Sequence, residues 1–141
     1  MRRVALGSGL DLAKLASTVR QIAVSEPPPP VLVCQAETNP DAWAHLSVVN
    51  LAPDGLPTPD TSWTLMLGYP SQGNLDAVLG QLRAILPAGS AVLDRQAGLQ
   101  ATVRIPFAAT PEQVAQAIQL TMVQLQRVER GAPVELALEY P

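Results

Sequence analysis

The chain holds one histidine, His45, and one cysteine, Cys34, among 141 residues, and these two bound its side-chain chemistry. A lone imidazole excludes a multi-histidine metal centre, and a Ser/His/Asp arrangement needs a carboxylate to orient the ring. Asp41 precedes His45 in "PDAWAH", but nearness in sequence across a turn-like segment does not place a carboxylate at the imidazole. Cys34 lies inside the apolar run "VLVCQA", where a thiol packs as a small hydrophobe. Asp54 and Asp60 flank the proline-rich "APDGLPTPD", and aspartate in such a turn bonds its own backbone. Pairing those carboxylates with His45 and Cys34 gives the competing reading, a small hydrolase or ligand-binding domain. Gly7-Ser8-Gly9 lacks the further glycine and the lysine of a phosphate-binding loop. No catalytic, cofactor-binding or metal-ligating residue is therefore assigned.

Composition narrows the remaining classes. Hydrophobic residues make up 48% of the chain, charged residues 15% and aromatic residues 4%, so the core must be built from Leu, Val, Ile and Ala. The length suits one domain, residues 10–141, preceded by a flexible lead-in over residues 1–9. A net charge of −3 supplies no positive excess for phosphate backbones. Stacking of single-stranded DNA on Trp63 and Tyr69 would also need a basic groove, so no direct nucleic-acid contact is expected. No run approaches the roughly 18 apolar residues of a membrane span. The first residues lack a signal-peptide core, and the expected location is the cytoplasm.

The hydrophobic periodicity predicts the elements. Leu12, Leu15, Val19 and Ile22 share one face of a helix capped by Ser8 or Asp11. Val31–Thr38, His45–Leu51 and Thr61–Tyr69 read as three strands joined by short turns. Asn74 caps a helix with a broad stripe of Leu75, Val78, Leu79, Leu82, Ile85 and Leu86, stopped at Pro87 and Gly89. Ala91–Asp94 and the cleanly alternating Leu99–Phe107 give two more strands. Thr110, Pro111 and Gln113 spell a capping box that opens a helix lined by Val114, Ile118, Met122, Leu125 and Val128 up to Gly131. The tail "APVELALEYP" is expected to add an edge strand. The fold class is α+β, an antiparallel sheet with helices packed on it, in the order αβββαββα.

Two features stand outside this core pattern. Pro27 to Pro30 satisfy a PxxP spacing, yet they sit between a helix and a core strand, where a stiff spacer explains them better than an exposed ligand does. On the last helix Leu120 and Val123 point nearly opposite to the inner face, among Gln116, Gln119 and Arg127. Apolar residues on two sides of one helix mark either an interface or packing under the C-terminal tail. The candidate protein-binding or dimer residues are Leu75, Val78, Leu79, Leu82, Leu120 and Val123.

The αβββαββα succession over Leu10–Gly131, in a chain of this length and acidity, resembles the fold of type III secretion chaperones and the related YbjN-like bacterial proteins. The resemblance implies a non-enzymatic homodimer without a cofactor that binds another protein along apolar surface. Among its members it is similar to those of radiation-resistant bacteria that associate with a single-stranded-DNA-binding repair protein, which implies a partner of that kind.

Overall fold

A computed structural model of the chain describes residues 2–129 and 131–141; Met1 of the expected lead-in and Arg130 near the expected end of the last helix lie outside the described residues. The elements run β1 (Arg2–Ser8), α1 (Leu12–Ala23), β2 (Val31–Ala36), β3 (Trp43–Val49), β4 (Ser62–Gly68), α2 (Leu75–Ile85), β5 (Ala91–Gln96), β6 (Gln100–Pro106), α3 (Pro111–Leu120), a π-helical turn (Thr121–Leu125) and β7 (Val134–Tyr140). All seven strands join one antiparallel sheet in the order β1-β7-β2-β3-β4-β6-β5. From α1 to α3 the expected order αβββαββα is present, flanked by one additional strand at each end.

Local chemistry sets the helix starts. The Asp11 carboxylate accepts from the Lys14 N–H at 3.1 Å, and the Asn74 side chain accepts from the Ala77 N–H at 3.1 Å. At α3 the box is complete: the Gln113 N–H donates to Thr110 Oγ1 at 3.1 Å and the Thr110 N–H donates to Gln113 Oε1 at 2.8 Å. These bonds satisfy donors that a helix N-terminus otherwise leaves orphaned.

The strand period of two sorts residues between the faces. Leu32, Cys34, Leu46, Trp63, Leu65, Leu67, Val103, Ile105, Leu136 and Leu138 turn toward the helices, where they meet Leu15, Val19, Ile22, Val78, Leu82, Val114, Ile118 and Met122 in one core. Trp63 stacks on Phe107 inside that core, ring centres 5.5 Å apart, so it offers no surface for base stacking. Among the described residues the helices pack on one face of the sheet.

Both chain ends depart from expectation. Residues 2–8, expected as a lead-in, form an edge strand whose Arg3 bridges Glu135 at 3.0 Å and Glu139 at 3.5 Å on β7. The tail is no edge: β7 lies between β1 and β2, with Val134, Leu136 and Leu138 essentially buried. Its inner position follows from those three apolar residues, which must face the helices while both of its ladders are filled.

The last helix also ends earlier than its apolar stripe suggests. The α-helical ladder gives way after Leu120 to the π turn, and the Gln126 N–H closes it on Thr121 O at 3.1 Å. Arg127 then adopts a left-handed φ of 58° and turns the chain away. Gln126 ties this corner to the sheet, its Nε2 donating to Trp43 O at 2.7 Å and Gly68 O at 2.8 Å. Gly68 suits that place because a Cβ there would collide with the Asp41 carbonyl.

The four prolines join α1 to β2, with Pro27 and Pro28 exposed and Pro30 buried. Pro27 packs against Gly55 of the β3–β4 loop, where a left-handed φ of 84° and the closeness of the proline ring both require glycine.

Candidate functional site

The residues with chemical potential are held apart. Cys34 points into the core beneath the helices and is 1% exposed; burial pushes its thiol pKa up to about 12, so thiolate is scarce at neutral pH. His45 lies on the opposite face of the sheet, its ring 4.9 Å from that of Trp43. Burial holds its imidazole below the ordinary value, with Glu139 opposing the shift and Arg3 adding to it. Asp54 bonds the Leu56 N–H of its own turn at 3.0 Å, and the backbone of Asp60 is bound to Thr58 and Asn50. A nucleophile–base pair of Cys34 and His45 is thus not assembled. Among the described residues no group of three or more His, Cys, Asp or Glu side chains could hold a metal ion.

A broad recess, about 1110 Å³, lies at the start of β4 and the end of β6 against the β3–β4 loop. Its polar groups largely serve the loop: Asn50 O accepts from Thr61 Oγ1 at 2.9 Å and from Thr58 Oγ1 at 3.1 Å. Apart from the exposed Arg104, which also lines it, the recess is a turn whose polar groups bond one another rather than a cluster of convergent donors.

The helical surface offers a different environment. A groove of about 300 Å³ lies between the start of α1, the outer flank of α2, and α3 with its π turn. Leu12, Ile85, Leu120 and Val123 supply its apolar floor, and Gln81, Gln116, Gln119 and Gln124 ring it. None of these eight residues is charged. A second depression, lined by Leu12, Ala13, Ala16, Arg20, Glu112 and Gln116, shares Leu12 and Gln116 with the first. The two make a furrow across α3, closed at its far end by the Arg20–Glu112 ion pair at 2.7 Å.

Local structure explains the groove. Leu12 opens α1 and stays 38% exposed, because the helix seals only with Leu15, Val19 and Ile22. Gln119 Nε2 donates to Leu10 O at 2.9 Å, which fixes the α1 entrance against α3. Leu120 and Val123 flank the point where the helix widens into the π turn, a geometry that recurs at functional sites.

The six expected interface residues divide. Leu75, Val78 and Leu82 face the sheet, each no more than 3% exposed, and are core. They cannot touch a partner while α2 stays packed. Leu79 flanks them toward β5, where with Leu93 it lines a separate depression beside the Asp76–Arg95 ion pair. Leu120 and Val123 lie in the groove. Leu12, Gln81, Ile85 and Gln124 join them there and are not among the residues expected from the sequence. The signal for Gln124 was its place beside Val123 on the outer face of the helix, a face that Arg127 leaves because the helix ends before it, but Leu12 and Ile85 reach the groove only through tertiary packing.

Compared with protein-family models, with curated proteins and with solved structures, the chain finds no match. What the geometry establishes is a mixed α+β protein with a seven-stranded antiparallel sheet and helices packed against it. Among the described residues no helix is long and apolar enough to cross a membrane.

Proposed function

We propose that this chain is a non-enzymatic, chaperone-like protein-binding module of the cytoplasm that acts as a homodimer and seats an apolar segment of another protein in the furrow across α3. The observation that carries the reading is the floor of Leu12, Ile85, Leu120 and Val123 within an uncharged ring of glutamines. Apolar floor buried by a ligand gains about 25 cal/mol per Å², and glutamine amides both donate and accept, so they can bond the backbone of an extended chain. The αβββαββα succession between the two end strands is consistent with a type III secretion chaperone-like or YbjN-like fold. What that resemblance implies is a protein partner, a single-stranded-DNA-binding repair protein.

The test is Leu120→Asp. An unpaired carboxylate on the groove floor should cost about 2 kcal/mol or more of partner binding, the scale of an interface hot spot, while the thermal transition stays within a few degrees. Titration calorimetry with the purified partner reads the first and circular dichroism the second. Unchanged affinity in a folded variant removes the groove from the function.

A further inference from the structure

The face of the sheet turned away from the helices has its own pattern. Val33 and Ala137 are buried there, yet they stand outside the core beneath the helices. One cross-strand row runs Ala5, Ala137, Val33, His45, Met66, Thr102, Asp94 from edge to edge. In the neighbouring row Arg3 and Glu139 stand on one side of β3, and Thr64 and Arg104 on the other. The centre of the face is apolar and aromatic, and its charges lie to either side.

We propose that a second copy of this chain covers this open face, with its two-fold axis running along β3. The assignment rests on the homodimer part of the reading above and gives it a surface separate from the groove.

Three observations carry it. β3 is the middle strand of the seven, so a two-fold axis along it exchanges β7 with β6 and β2 with β4 while keeping each cross-strand row on itself. That operation sets Glu139 of one copy over Arg104 of the other, twice, and Val33 over Met66, twice, with His45 on the axis.

The charges fit the operation. Arg3 is shared between Glu135 and Glu139 at 3.0 and 3.5 Å, which leaves the β7 side one negative charge in excess. Arg104 is exposed, and among the described residues it has no ion-pair partner. A self-complementary surface of this kind is what an isologous contact demands.

The area also suffices. Strands about 4.8 Å apart and about 3.3 Å per residue make the face roughly 29 by 23 Å. That is about 650 Å² per copy and about 1,300 Å² in total, at the lower end of stable interfaces. Two sheets stack about 10 Å apart, a gap that an arginine and a glutamate reaching toward each other can span.

The experiment is sedimentation of the full chain and of three variants: Arg104→Glu, Glu139→Arg and the two combined. Arg104→Glu disturbs no ion pair within the chain and so carries most weight. The wild type is expected to be dimeric, each single reversal to raise the dimer Kd about tenfold or more, and the double reversal to restore it. Ser47→Cys in a Cys34→Ser background should cross-link to itself with a short bis-maleimide, since Ser47 lies on the axis. A wild type that is monomeric at all concentrations overturns this proposal together with the homodimer, and leaves the face to some other occupant. A dimer indifferent to the reversals, and not cross-linked through the Ser47→Cys variant, overturns the sheet assignment and leaves the homodimer standing.

Discussion

The two faces of the sheet use the same strands for opposite purposes. Toward the helices the rows are almost wholly Leu, Val, Ile and Ala and exclude water; away from them Val33, His45, Met66 and Trp43 alternate with Ser, Thr, Arg and Glu. Each tryptophan marks one face. Trp63 is 2% exposed and stacked on Phe107, whereas Trp43 is half-buried over His45. The difference teaches that hydrophobicity alone does not tell fold from function here: the first face holds the chain together, and the second is surplus to that task.

Substituting the two tryptophans tests the contrast most severely. Trp63→Ala should destabilise the protein by about 3–5 kcal/mol, the cost of emptying a core aromatic site. Trp43→Ala should cost about 1 kcal/mol. Urea titration compares them, and equal losses would mean that both faces serve folding alike.

Titration sharpens the same contrast with smaller effects. The Cys34 pKa is raised in the folded chain from its ordinary value of 9.0, which the unfolded chain keeps, to about 12. Above that lower value the unfolded state releases its proton first, so stability is whole below it and declines as the pH climbs toward 12. At pH 8 a maleimide should label Cys34 only at the rate of unfolding, which mass spectrometry can follow.

His45 acts at the other end. Its folded pKa is lowered by burial, so below about 6.5 the unfolded state takes up a proton first. Stability is intact above that value and falls as acid is added, until the folded imidazole is itself protonated. Chemical denaturation at pH 7.5 and at pH 5.5 should show the decline in the wild type, and His45→Gln should reduce it. Equal slopes in both proteins would place the acid sensitivity elsewhere.

The sequence made the local parts of this architecture readable and left the long-range parts hidden. Asp11, Asn74 and the Thr110/Gln113 box announce their helices because capping is a contact between near neighbours. The alternation from Ala101 to Ile105 likewise announces β6, since half of that strand is buried. β1 escaped notice because an edge strand with little burial needs no alternation, and its ladder and Arg3 bridges come from residues at the far end of the chain, Glu135 to Tyr140. The place of β7 inside the sheet is hidden for the same reason. Of the candidate site, Leu120 and Val123 were legible as apolar residues on the wrong side of a helix. The stripe of Leu75, Val78 and Leu82 was misleading, since periodicity shows that a helix buries a face but not how wide a sheet it must cover.

The most direct measurement of the central claim is a quantitative co-purification from the native cells, run in parallel with the wild type, Leu120→Asp and Arg104→Glu and identified by mass spectrometry. One stoichiometric companion protein is expected, lost with Leu120→Asp and kept, on a weakened dimer, with Arg104→Glu. A companion retained by a folded Leu120→Asp variant, or no companion at all, would contradict the claim.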